Sequence, residues 1–124
     1  MIGRTVLVAA AILALAGSAP SAAKDEAGAK KIADDLWLAS IAARDCPDTS
    51  LNKDMLLFWS KTLISDFDGD KDIAADLVQT TKGLALRIAA DAESKLGLTL
   101  FCGAMWTGYS ENGIERANLI HHAP

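Results

Sequence analysis

Between Lys24 and Arg44, Ile32, Leu36, Trp37, Ser40 and Ile41 recur at three- and four-residue intervals, while Lys30, Lys31, Asp34 and Asp35 take the polar positions. That period predicts an amphipathic helix, with abundant alanine keeping propensity high. Pro47 predicts its end, because the residue before a proline avoids the helical region. A second helix is expected after Asp48-Thr49-Ser50, any of which is a suitable cap, with Leu51, Met55, Phe58, Trp59, Thr62 and Leu63 as its apolar stripe. Leu56 and Leu57 widen that stripe and suggest a central position. Asp66-Phe67-Asp68-Gly69-Asp70 breaks the pattern. A third helix then starts near Asp70 or Lys71 and carries Ile73, Leu77, Thr81, Leu84, Ile88 and Ala92 at helical spacing. Gly97 is placed for a left-handed cap with Leu98 folding back beneath it. A fourth, shorter helix from Thr99 towards Tyr109 is expected to bury Phe101, Cys102, Met105 and Trp106. Asn112 and Glu115 are spaced as a capping pair for a last short helix through Ile120.

No run alternates with period two, and Asn112-Gly113 is flanked by Ser110-Glu111 and Ile114-Glu115, which do not read as strands, so no hairpin is expected. The predicted fold class is all-α: a compact bundle of four to five helices stapled by one disulfide, after a cleaved signal peptide. The leader is read from Arg4, the apolar run Val6–Ala16, the breakers Gly17, Ser18 and Pro20, and the small residues Ser21-Ala22-Ala23. The apolar run is much shorter than the ~20 residues of a spanning helix. Residues 1–23 are therefore assigned as signal peptide and 24–124 as a single helical domain, with no stable membrane anchor after cleavage. A periplasmic or secreted location follows.

Cys46 and Cys102 are the chain's two cysteines, and an even count in an exported protein favours a bond between them. Such a bond would close a loop of about 57 residues, worth roughly 4 kcal/mol in the chain-entropy model. It would also tie the end of the first helix to the fourth.

Charge narrows the function classes. The chain has net charge −4 and a pI near 5.0; removal of residues 1–23 takes Arg4 with it and leaves 101 residues at net −5. An acidic domain of this kind lacks the basic face that nucleic-acid binding needs. A catalytic set is also missing from the pattern. The two histidines, His121 and His122, stand beside the C-terminus, where chain ends are usually mobile. Ser110 in Gly108-Tyr109-Ser110-Glu111-Asn112-Gly113 resembles a nucleophile elbow, but the second glycine comes one residue late and no strand precedes it, so a turn or cap is expected. Asp91 and Glu93 fall on different helix faces. No phosphate-cradling loop or dinucleotide fingerprint occurs, and no cofactor is expected.

The carboxylates Asp66, Asp68, Asp70 and Asp72 around Gly69 are weak candidates for a divalent cation. Neither possible register supplies the terminal bidentate glutamate of a calcium loop. A turn at Asp68-Gly69 followed by acidic residues at a helix N-terminus accounts for the same residues. Trp37, Trp59 and Trp106 each lie near an apolar stripe and are expected in the core. The exception is Met105-Trp106-Thr107-Gly108-Tyr109, whose residue types are favoured at binding surfaces. Met105, Trp106 and Tyr109 are the candidate partner-binding residues.

In plan (leader, acidic helical domain, one disulfide) the chain is similar to several classes of small envelope protein, among them acid-stress periplasmic chaperones and secretion-system immunity proteins. No motif carries the likeness. The expected function is a small exported, non-enzymatic, protein-binding domain of the bacterial cell envelope, of inhibitor, immunity or accessory type. The alternatives are a periplasmic small-ligand or divalent-ion binding protein, or an acid-stress chaperone-like protein.

Overall fold

The computed structural model describes residues 25–124; the assigned leader, residues 1–23, lies outside them. Helix α1 spans Glu26–Asp45, started by Asp25, whose Oδ1 accepts from the Gly28 N–H at 3.0 Å. Cys46 leaves the helix in an extended conformation ahead of Pro47. Helix α2 (Lys53–Asp66) is capped by Asn52, helix α3 (Lys71–Leu96) by Asp70, and helix α4 (Leu98–Tyr109) follows Gly97 directly. The described residues thus form four helices, which hold 72% of them.

The central helix is α1, which touches the other three helices and both short strands. Its largest contact is with α3. Alanines line the buried faces of both, Ala29, Ala33, Ala39 and Ala42 in α1 with Ala74, Ala85 and Ala89 in α3, and small side chains let two helix axes approach closely. The expected central role of α2 is not observed. Leu63 is its one buried residue, and Leu57 and Phe58 remain 55% and 54% exposed. A wide apolar stripe reports the face a helix could bury, and α2 has neighbours on only part of it.

Further expectations need correction. The fifth helix is not formed: residues 110–119 make a series of turns, with Asn118 in the left-handed region at φ 66°. The segment is held instead by Glu115 and Arg116 N–H groups donating to the Gly108 carbonyl and by the Leu119 N–H donating to Tyr109. It leads into strand β2 (Ile120–His122), which pairs antiparallel with β1 (Thr49–Leu51) in the register Thr49↔His122, Ser50↔His121 and Leu51↔Ile120. The terminal histidines are therefore in a ladder, and the mostly helical fold carries a two-stranded sheet. Leu119 and Ile120, at 0% and 1% exposure, anchor the strap in the core.

Gly97 has a positive φ of 83° with an extended ψ of 157°, so it turns the chain from α3 to α4 without closing a left-handed cap. Leu98 stays 43% exposed rather than folding back. Cys46 and Cys102 are bonded, with Cα atoms 5.7 Å apart, joining the end of α1 to the second turn of α4. No helix among the described residues is long and apolar enough to cross a membrane.

Candidate functional site

The polar centre of the domain is Asp35. It lies three residues after Ile32 and four before Ala39 on the buried face of α1, and is 3% exposed. A carboxylate in such a place requires donors. Arg116 Nε donates to Oδ2 at 2.9 Å, the Tyr109 hydroxyl to Oδ1 at 2.8 Å, and Lys31 Nζ to Oδ2 at 2.9 Å. The Arg116 guanidinium stacks over Trp59, 4.1 Å from the ring centroid, and Lys31 also reaches Glu115 at 3.1 Å. Residues from α1, α4 and the 110–119 strap are thereby clamped around one carboxylate. Burial pushes the Tyr109 phenol far above its ordinary range, and the hydrogen bond to Asp35 adds to the rise. Burial lowers the Lys31 ammonium but is outweighed by its bonds to Asp35 and Glu115, which hold it above its ordinary value.

Beside this clamp, a groove of about 660 Å³ runs between α1 and α4. Leu38, Ala104 and Met105 supply apolar wall, Gly108 and Tyr109 line it from α4, and Lys30 and Asp34 belong to its polar side. Asp34 is partly buried, and that burial raises its carboxyl above the ordinary value of 3.8, against the pull of Lys30. Its neighbour Asp35 is surrounded by donors, whereas no described side chain donates a hydrogen bond to Asp34. Sequence reasoning placed both aspartates on the polar face of the helix. The signal for Asp35 was its spacing from Ile32 and Ala39.

The three candidate partner-binding residues do not form one patch. Met105 is partly buried and lines the groove. Tyr109 is 3% exposed with its hydroxyl committed to Asp35, so its ring belongs to the core. Trp106 faces elsewhere, its ring centroid 4.5 Å from that of His122 beside a second hollow of about 400 Å³. Nor do the tryptophans cluster. Trp37 Nε1 donates to the Val78 carbonyl at 2.7 Å, while the buried Trp59 Nε1 has no partner among the described residues. Ser110 caps α4, its hydroxyl bonding the Trp106 carbonyl.

Of the acidic candidates, Asp66 ends α2, Asp68 and Gly69 turn the chain with φ of 55° and 86°, and Asp70 caps α3. Asp70 Oδ1 accepts from the N–H groups of Asp72 and Ile73 at 3.0 and 3.2 Å. Among the described residues, no three His, Cys, Asp or Glu side chains are grouped to share a metal ion. Comparison of the chain with protein-family models, curated proteins and solved structures finds no match.

Proposed function

We propose that this chain is a small exported, non-enzymatic domain of the bacterial cell envelope that binds another protein through the α1–α4 groove, in an inhibitory, immunity or accessory role. The observation that carries this reading is Asp34: a partly buried carboxylate, raised by its burial and given no side-chain donor, beside the apolar wall of Leu38 and Met105. A long cation-tipped side chain of a partner fits those two features together. Its methylene stem packs on the wall and its charge meets Asp34, as lysine and arginine side chains do at half-apolar surfaces. The acidic balance of the chain favours approach of a basic segment. The disulfide supports export, since such bonds persist in oxidising compartments.

A photo-activatable cross-linker at position 38 tests the reading in cells. It should trap one discrete partner, with trapping lost in Asp34→Lys and Met105→Glu variants that keep the wild-type melting temperature. Trapping that survives both substitutions, or that matches a cross-linker placed at Lys82, would overturn it. A second reading rests on a different groove, of about 600 Å³ between α1 and α3, walled by Phe67, Ile73, Leu77 and Leu84. It suits the apolar part of a small ligand, and its test is tryptophan-fluorescence titration with a long-chain fatty acid.

A further inference from the structure

We infer that strand β2 is an acid-closed latch, in which protonated His121 ties the strand to β1 and protonated His122 keeps Trp106 covered. The α1–α4 groove plays no part in it. Both ring nitrogens of His121 face backbone carbonyl oxygens, Nδ1 at 3.0 Å from that of His122 and Nε2 at 3.2 Å from that of Leu51. A carbonyl oxygen can only accept, and neutral imidazole has a single N–H to give. Imidazolium, which donates from both nitrogens, satisfies the two contacts together. With one proton fewer, a ring lone pair is set against a carbonyl lone pair. Either the bond across the ladder to Leu51 or the one along the strand is then lost.

His122 acts with the same sign. Its ring centroid lies 4.5 Å from that of Trp106, with the planes 31° apart. A cation within about 6 Å of an indole is attracted to the ring face, so protonation strengthens this contact as well. Imidazole is the side chain whose charge ordinarily changes between about pH 5 and 8. The latch is closed at the acid end of that window and loosened at the other.

The ionisable neighbours do not oppose this. Strand β1 and helix α4 bring no charged side chain. Glu111 lines the hollow beside Trp106 together with both histidines, and its charge complements imidazolium. Asp48 precedes β1, and its carbonyl accepts from the Ala123 N–H at 2.9 Å. Helix α1 also packs on β2, and its last two residues, Arg44 and Asp45, are paired with each other. Beyond the ladder, Lys53 and Asp54 open α2 with one charge of each sign.

The motion is local. Leu119 and Ile120 are buried and anchor the start of the strand, whereas His121, His122 and Ala123 are exposed. Opening therefore releases residues 121–124 without disturbing the core, and it bares the indole face that His122 covers. Tryptophan is favoured at recognition surfaces, so the latch makes Trp106 available in neutral medium and masks it in acid.

Amide hydrogen exchange, followed by NMR on the protein expressed from its full sequence, tests the latch when each rate is referred to its intrinsic value at the same pH. Protection of the Ala123 N–H should fall by about three- to tenfold between about pH 5 and 8, the scale of one partly solvated, charge-assisted hydrogen bond. The Asn52 N–H, which donates to the Leu119 carbonyl at 2.8 Å at the anchored end, should keep its protection. The Trp106 indole N–H signal, identified by its loss in Trp106→Phe, should shift over the same pH range. The double variant His121→Gln/His122→Gln should flatten both profiles. A flat Ala123 profile in the parent overturns the inference without recourse to any variant. So does a parallel fall at Asn52, an indole signal that ignores pH, or a pH dependence that survives the double variant.

Discussion

Replacing Asp35 by asparagine keeps the side-chain volume and removes the charge around which α1, α4 and the strap are organised. In the native protein this carboxylate is 3% exposed and the Arg116 side chain that pairs with it is 14% exposed, so neither group can exchange its partner for bulk water. Removing one member of a buried pair costs about 3–5 kcal/mol, because the other stays buried and uncompensated. Here the lower end applies. Arg116 retains its stacking on Trp59, Lys31 retains Glu115, and the new amide oxygen can still accept from Tyr109. About 3 kcal/mol is the expected loss, a large fraction of the roughly 5–15 kcal/mol that stabilises a small domain. Urea unfolding followed by tryptophan fluorescence should show the midpoint falling by about 1–3 M for a slope of 1–3 kcal/mol/M. Hydrogen exchange should accelerate first at Leu119 and at the Glu115 and Arg116 amides, whose acceptors lie in the last turn of α4. Asp35→Asn combined with Arg116→Ala should cost much less than the two changes summed, since each already removes the shared contact. A loss below about 1 kcal/mol for Asp35→Asn, or strict additivity in the pair, would refute the clamp as the organising contact.

Tyr109 is the chain's one tyrosine, so tyrosinate absorbance reports it alone. Its folded value is raised, meaning that its stabilising contribution is full below the ordinary phenol value of 10.0 and is lost as pH climbs beyond it. Ionisation should therefore coincide with alkaline unfolding, and a normal titration in folded protein would contradict its burial against Asp35. Cys102→Ser should lower stability by about 4 kcal/mol by releasing the closed loop, measured by urea unfolding against the oxidised parent. Asp34 is likewise raised when folded, so its contribution is full below the carboxylate range and lost as pH rises through the raised value. Asp34→Asn should then be more stable than the parent at neutral pH and equal to it in acid, while weakening partner binding; a variant less stable at neutral pH would show that Asp34 has a structural donor.

Helical periodicity was sufficient for α1 to α4 because each has an apolar face long enough to repeat. The start of α3 near Asp70 and the Cys46–Cys102 bond were legible for similar reasons, one from local chemistry and the other from cysteine count. What failed was long-range. Asn112 and Glu115 have the spacing of a capping pair, but the Glu115 carboxylate is drawn to Lys31, 84 residues away, and an added Cβ at Gly113 would lie 2.4 Å from the Gly108 carbonyl oxygen. That close approach of two backbones is incompatible with an independent helix there. Strands β1 and β2 are three residues each, too short for an alternation to register, and each exists because the other is present. The N-cap of α2 moved to Asn52 for the same reason, since residues 49–51 were already in the ladder.

The candidate partner segment illustrates the same limit within a single helix. Met105 and Tyr109 are four apart and share a face, whereas Trp106 is turned about 100° from Met105. Three residue types favoured at interfaces therefore could not present one flat patch once the segment became helical. Tyr109 then went to the core because Asp35, 74 residues earlier, required a donor. Trp106 was directed to His122 by the strand that brings the C-terminus back across α4. Met105 was left on the apolar wall of the groove with no polar group to satisfy, and the residue on the groove's other side that lacks a donor is Asp34, which composition and spacing classed as ordinary helix surface. Composition can nominate a segment for recognition, but helix phase and the demands of buried polar groups decide which of its side chains remain available to a partner.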